Sequence, residues 1–336
     1  MTESLLEALE KRILLFDGAM GTEIQKLEPK PEDFPDRKDG FNDGLSFSKP
    51  DWIKNIHRSY LEAGADCIET NTFGSNKIKL DEYGFGDKTV ELNQKNAELT
   101  VDVCKEFSDR QRFAIGSMGP TGFLPSSNDP DLGQKPLAEI RNAFELQAEG
   151  LILGGVDALL IETSQDILEV KLAIEASHNA IKKTGKKIPI LANTTLDQYG
   201  KMLLGTNVQS AYTTVCDMGI DVFGLNCSTG PNEMEPSIQW LNDQKHKHLL
   251  VVPNAGMPEN EGGQAVYKMT PKNMADTLSS FLDDYPQIKI IGGCCGTTPD
   301  HIQSIAEAVT GFPPREPPIL QQCLRLSGLE AIEVAS

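Results

Sequence analysis

The sequence predicts a closed (β/α)8 TIM barrel. Eight short apolar runs alternate with helix-patterned stretches over most of the 336 residues. Short apolar strands separated by helices pair in parallel. Each run ends in polar or glycine residues, which is the demand a barrel makes of its catalytic rim. Neither a G-x-G-x-x-G nor a G-x-x-x-x-G-K-[ST] motif occurs, so an open doubly wound sheet with a nucleotide loop is the weaker alternative.

The elements follow in order. Residues 1–12 form a polar amphipathic lead-in helix. The run Ile13-Leu14-Leu15-Phe16 is the first strand, feeding the glycine-rich turn Asp17-Gly18-Ala19-Met20-Gly21. Residues 28–48, rich in Pro, Asp and Gly, read as a long loop. Ile53, Ile56 and Tyr60 share one face of a helix over about 51–63. The second strand, from Ala65, ends in Glu69-Thr70-Asn71, and a helix covers 88–107. The third strand is Phe113 to Met118 and is followed by a helix over about 136–154. Ala158 to Ile161 is the fourth, with Glu162-Thr163 at its end. Its helix closes in a lysine-rich last turn before Gly185, where cations suit the dipole and glycine suits the cap.

Strand five ends in Asn193-Thr194 and strand six in Asn226-Cys227. Strand seven ends in Pro253-Asn254, and strand eight runs over 288–293. Helices are expected over 207–218, from Pro231, over 271–284 and over 299–309. Thr298 is the N-cap of the last, with Pro299 in the first helical position. The barrel domain is therefore 1–311. Phe312-Pro313-Pro314-Arg315-Glu316-Pro317-Pro318 is a stiff linker, and 312–336 is a Pro-rich tail too short to be a domain. No internal repeat beyond the βα alternation is evident.

Net charge is −18 and the pI is about 4.7, which argues against nucleic acid or an anionic membrane as partner. No apolar run approaches the ~20 residues needed to span a bilayer. Met1-Thr2-Glu3-Ser4 has no signal-peptide character, so the expectation is a soluble, cytoplasmic protein.

Seven scattered cysteines do not form a disulfide framework. Three of them stand at strand ends: Cys227 after strand six, and the adjacent Cys294 and Cys295 after strand eight. Glycines flank the pair and let the backbone take unusual angles. Strands six and eight lie one neighbour apart, so three thiolates are able to converge on one Zn²⁺ with a fourth position open. Two buried structural thiols and a vicinal disulfide are the competing readings of the pair. Cys67, Cys104 and Cys216 are assigned to packing, while Cys323 falls in the tail. The five histidines, none at a strand end, are read as surface or packing residues.

A metal-bound thiol loses its proton, whereas a free thiol of pKa ~8.5 is mostly protonated at neutral pH. Such a centre would replace a general base. Asp17 and Glu162 offer carboxylates for an ammonium group, and the turn at Gly18 offers backbone N–H groups for a carboxylate. Each acid taken alone is equally well explained as a cap or a backbone acceptor.

Four segments resemble the homocysteine S-methyltransferase family: Asp17-Gly18-Ala19-Met20-Gly21-Thr22, Glu69-Thr70-Asn71-Thr72-Phe73, Gly224-Leu225-Asn226-Cys227 and Gly292-Gly293-Cys294-Cys295-Gly296-Thr297-Thr298-Pro299. The resemblance covers about 12–311. Within the family, Phe41-Asn42-Asp43, Pro253-Asn254-Ala255-Gly256 and the tail from Cys323 to Leu329 look most like the N-terminal homocysteine module of cobalamin-dependent synthases.

The resemblance implies a zinc-dependent barrel that activates homocysteine for methylation to methionine. By motif match, Cys227, Cys294 and Cys295 are the zinc ligands and Asn254 is the fourth when substrate is absent. Asp17, Gly18 and Glu162 hold the amino-acid end. In such synthases the tail leads into folate and cobalamin modules. The expected donor is therefore methylcobalamin on a corrinoid- or folate-binding partner or module. Betaine or S-methylmethionine is the alternative donor, and a non-catalytic thiol, metal-binding or redox protein is the alternative of another class.

Overall fold

Parallel strands and amphipathic helices alternate as the sequence predicts. The computed structural model describes residues 3–244, 248–313 and 324–334. The strands are β1 (Leu14–Leu15), β2 (Cys67–Glu69), β3 (Phe113–Met118), β4 (Ala158–Ile161), β5 (Ile190–Thr194), β6 (Val222–Asn226), β7 (His248–Val252), β8 (Glu259–Glu261), β9 (Gln264–Val266), β10 (Ile288–Ile291), β11 (Leu324–Ser327) and β12 (Ala331–Val334). The helices are α1 (Leu5–Lys11), α2 (Met20–Lys26), α3 (Leu45–Ser48), α4 (Pro50–Glu62), α5 (Lys77–Tyr83), α6 (Thr89–Lys105), α7 (Leu137–Gly154), α8 (Ile167–Thr184), α9 (Val208–Cys216), α10 (Pro231–Gln244), α11 (Pro271–Asp284) and α12 (Pro299–Val309).

Eight strands form one parallel sheet in the order β1-β10-β7-β6-β5-β4-β3-β2. Its two edges meet through a parallel bridge between Phe16 and Cys67. Leu14, Phe16, Phe113, Ile115, Leu160, Leu191, Leu250 and Ile290 fill the interior. Leu5, Ala8 and Leu9 of α1 belong to the same buried cluster, so the lead-in helix seals the barrel. Burying each such leucine or phenylalanine stabilises the fold by roughly 1.5–3 kcal/mol. A second apolar layer lies between the strands and the outer helices.

Two helix ends that the sequence marks are observed. Thr298 caps α12 with Pro299 in its first turn, and Gly185 ends α8 in the left-handed conformation at φ 68°. Several features differ from expectation. The turn after Gly18 winds into α2, and the 28–48 loop ends in α3. Helix α5 and the hairpin β8–β9 are additional. The tail is not a plain linker: β11 and β12 pair antiparallel and pack on α9, with Thr214 Oγ1 donating to Ser327 Oγ at 2.9 Å. The expected linker from 314 to 323, with Cys323, and also His246, lie outside the described residues.

A repeat that the sequence reading misses lies at the strand starts. Gly64-Ala65-Asp66, Gly155-Val156-Asp157 and Gly219-Ile220-Asp221 precede β2, β4 and β6, each glycine at positive φ (107°, 91° and 81°). Each aspartate carboxylate accepts an N–H from the first two residues of the preceding barrel strand: Leu15 at 3.0 Å, Ala114 at 2.8 Å and Ile190 at 2.9 Å. Each aspartate N–H donates back to the carbonyl of that same residue. Three reciprocal clamps thus fix the register of alternate strand pairs. The short Gly-x-Asp unit is hidden in sequence by the variable helices between its copies.

Candidate metal and substrate site

Strand order builds the site. β7 separates β6 from β10, and its exit holds both cysteine segments. Cys227 N–H donates to Val252 O at 3.2 Å, and Cys294 N–H to Pro253 O at 2.8 Å. Cys295 N–H donates to Asn254 Oδ1 at 3.1 Å, and Ala255 N–H to Cys295 O at 3.0 Å. Cys227 and Ser228 sit at φ 60° and 63°, a left-handed pair that turns the sulfur of Cys227 back over the rim.

The three sulfurs lie within 4.8 Å of one another, with Cys227 Sγ and Cys295 Sγ 3.8 Å apart. A tetrahedral zinc with Zn–S of ~2.3 Å requires sulfurs ~3.8 Å apart, so the donor set fits that ion. All three cysteines are free and partly buried. Without metal the cluster splits its charge. Hydrogen bonds from Cys227 and Cys294, with a further one from Tyr267, draw the Cys295 thiol down to about 3. The bonds to Cys227 and Cys295, with burial, push Cys294 well up. Cys227 is pushed up to about 12: its bond with Cys294 works downward, but the Cys295 contact and burial outweigh it.

The turn after β1 is locked to the cysteine loop. Gly293 N–H donates to Asp17 O at 3.2 Å. Thr297 Oγ1 donates to Cys294 O at 2.6 Å and accepts from Ala19 N–H at 3.2 Å. Tyr60 stands over the same junction, its hydroxyl 3.3 Å from Ala19 O and Thr297 O. Gly18 is required here: a Cβ would sit 2.7 Å from Thr297 Oγ1 and 2.8 Å from the Tyr60 ring.

Three carboxylates gather beside the thiols. Asp17 is 3% exposed, and its Oδ2 accepts Glu69 N–H at 3.0 Å. Glu162 is 5% exposed and accepts from Ser117 Oγ at 2.5 Å and Asn226 Nδ2 at 3.3 Å. Glu69 and Glu162 are close enough for each to shift the other's carboxyl. Burial pushes Asp17 and Glu69 well above the usual carboxylate range and raises Glu162; the neighbouring Glu162 charge adds to this at Asp17 and Glu69, and the Cys295 charge at Glu162. Among the described residues no lysine or arginine pairs with any of them. Carboxylates so placed, with no described cation beside them, are chemically able to take up a cationic group.

The structure brings Asp17, Gly18, Glu162, Asn254, Cys227, Cys294 and Cys295 to one rim. Asn254 is 1% exposed, and its oxygen is engaged by Cys295 N–H. The sequence reading gives no role to Glu69, Ser117, Asn226, Thr297 or Tyr267. Glu69 was findable from its strand-end position; Tyr267 carries no signal, lying in a polar stretch outside the βα pattern. The histidines behave as packing or surface groups: His57 is buried beside Thr100, and His301 links Thr298 to Met269 O. A cleft of about 1000 Å³ lies among Arg110, Arg112, Asp157 and Asp221 at the opposite end of the barrel and contains none of these residues.

The C-terminal rim of a parallel eight-stranded barrel thus carries three converging thiols with carboxylates beside them. The profile of the homocysteine S-methyltransferase family matches residues 14–309, and the chain belongs to that family. It is 40% identical over 310 residues to the methionine synthase of Mycobacterium tuberculosis, covering 92% of this chain and 25% of that protein. The methionine synthase of Mycobacterium leprae gives 40% over 307 residues, again 25% of its length. The chain thus spans about a quarter of the curated relatives it matches. Its fold is similar to that of the homocysteine methyltransferase MmuM from Escherichia coli: the metallated form superposes with a TM-score of 0.69 at 20% identity, covering 90% of this chain and 99% of that one. No described helix is long and apolar enough to cross a membrane.

Proposed function

We propose that this chain binds homocysteine and one zinc ion and methylates the homocysteine sulfur, forming methionine. The convergence of three sulfurs from two strands beside three carboxylates, Asp17 and Glu162 of them buried, carries this reading. Cys227, Cys294 and Cys295 would hold the ion. Zinc on such a donor set supplies a Lewis acid that removes the proton from an incoming thiol at neutral pH. Asp17, Glu69 and Glu162 receive the ammonium group, and Ser117 and Asn226 fix the orientation of Glu162. Gly18 keeps the Asp17 turn close to the cysteine loop. With its amino end held, the substrate's sulfur attacks the methyl carbon; the S–CH3 bond forms as the donor bond breaks, and the donor keeps the electron pair.

Asn254 is proposed to take the fourth ligand position when substrate is absent, giving up its bond to Cys295 N–H. The methyl donor is proposed to be a methylcobalamin carried by a corrinoid-binding partner or module. In favour of a carried donor, the matched stretch is only 25% of relatives named methionine synthase.

Metal analysis beside a homocysteine titration tests the reading. One zinc per chain, lost together with thiol binding in Cys294→Ala, is expected. Zinc-free wild-type protein, or undiminished homocysteine binding by the variant, would refute it. Methionine formation with methylcobalamin but not with S-methylmethionine or betaine is expected; the reverse refutes the corrinoid donor.

A further inference from the structure

A threonine at the exit of β4 is held where β-branched residues rarely go. Thr163 lies at φ 58°, in the left-handed region, where its Cβ crowds the backbone. Cys227 and Ser228, at the exit of β6, are left-handed as well. Only β5 separates the two strands, and one side chain joins the two strained turns.

That side chain is Asn226, the last residue of β6. Its Oδ1 accepts Thr163 N–H at 3.0 Å and Thr195 Oγ1 at 3.2 Å. Its Nδ2 donates to Thr163 Oγ1 at 2.9 Å and to Glu162 Oε2 at 3.3 Å. Thr163 Oγ1 in turn donates to Glu162 Oε2 at 3.4 Å. Thr163 thus grips both ends of one amide. Its backbone N–H can only donate, which fixes the oxygen of Asn226 on that side and the nitrogen on the side of Glu162. Thr195 N–H donates to Ser164 O at 3.2 Å, so the exit of β5 braces the same junction.

The clamp joins the two ends of the proposed substrate site. Glu162 stands there for the ammonium group, and Cys227, the residue after Asn226, for the metal that meets the thiol. The span between these ends sorts substrates by length. Cysteine has one methylene fewer than homocysteine. One methylene is worth ~10–200-fold in a pocket, and a misplacement of ~1 Å costs about 100-fold; both differences need ends that keep their separation.

We propose that Thr163 is a specificity-determining positioning residue: by clamping Asn226 between Glu162 and Cys227 it fixes the span from the ammonium site to the metal, so that homocysteine is preferred over cysteine. This rests on the homocysteine and zinc reading of the site.

The test titrates zinc-loaded protein with homocysteine and with cysteine by calorimetry. Thr163→Val keeps the branched shape and removes the hydroxyl. Thr163→Gly removes it and takes the left-handed turn without strain, so it serves where the valine variant does not fold. Thr163→Ser keeps the hydroxyl. The preference for homocysteine falls ~10-fold in Thr163→Val and Thr163→Gly, the scale of one hydrogen bond to a charged group. It is retained in Thr163→Ser, and zinc content stays at the wild-type level throughout. An unchanged preference in the variants without the hydroxyl, an equal fall in Thr163→Ser, or wild-type protein that binds both thiols alike overturns this inference alone. Loss of zinc from Thr163→Gly means that the turn serves the metal ligands and not the span, and overturns it too. Wild-type protein that takes up no zinc, or binds no homocysteine, overturns both this inference and the reading beneath it.

Discussion

Glu162 shows how one residue becomes specific. Its oxygens are satisfied by Ser117 and Asn226, yet it faces Glu69 and Asp17 with no described cation to balance them. In the proposed function a substrate ammonium offsets that cost, and an uncharged analogue does not. Glu162→Gln is therefore expected to weaken homocysteine binding ~10–100-fold, the loss of one buried charged hydrogen bond. It should change affinity for 4-mercaptobutanoate, which lacks the amino group, far less. Calorimetric titration of both ligands reads the difference; equal losses would remove Glu162 from the ammonium site. Gly18→Ala is a second expectation at this scale. Its Cβ collides with Thr297 and Tyr60, which hold the cysteine loop. Zinc should be lost faster to a competing chelator, while an unchanged rate would uncouple the turn from the metal ligands. The three cysteines are legible in sequence because strand ends and glycine flanks mark them. Glu69 acquires its place in the site only from a neighbour distant in the chain, Glu162.

Among the elements, strand type and order are legible because parallel strands buried on both faces read as continuous apolar runs. All six residues of β3 are buried, for example. What fixes their register is less legible. The aspartates of the Gly-x-Asp clamps look like ordinary turn residues until the preceding strand is in place. Asp221→Ala leaves the Ile190 N–H buried without its acceptor. The expected loss is ~1–3 kcal/mol of unfolding free energy, seen in denaturant melts, with zinc content unchanged because the clamp lies at the far end of the barrel. A loss of zinc with no loss of stability would contradict this division of labour between the two ends. Lys289 makes a related point. Within an apolar run it is fully buried at a bulge in β10, and its Nζ donates to Leu9 O of α1 at 2.7 Å. A lysine in that run reads from sequence as an exception, but the fold uses it to cap the helix that seals the barrel.

At the scale of the molecule, the net charge of −18 and several buried acids act in the same direction with pH. Burial raises Asp43 to about 7, Asp157 to about 6 and Glu169 to about 7. A carboxyl raised in the folded state binds its proton more tightly there than in the unfolded chain. Its contribution is complete below the ordinary carboxylate value near 4 and is lost as pH rises through the raised value. Repulsion among surface acids grows over the same range. The carboxylates lowered by surface pairing, such as Glu3 and Glu106, act below about pH 4.5 and leave this window untouched. His57, which burial holds down at about 3, and the metal-free Cys295 thiol, drawn down to about 3, oppose the trend on acidification, and the raised Asp17 and Glu69 add to it. Zinc would work the other way, since thiol ligands must be deprotonated, so the metal has to be removed first. Chelator-treated protein is then expected to melt several degrees higher at pH 5.5 than at pH 8. Glu169→Gln should flatten part of that slope, because glutamine still accepts from Thr121 N–H and Oγ1, as Glu169 does at 2.9 and 2.5 Å, but has no proton to lose. Calorimetric melts of both proteins across the range decide it: a wild-type melting temperature that is flat or falls on acidification to pH 5.5 would mean that these acids are solvated in solution and that the buried charge attributed to the barrel is not there.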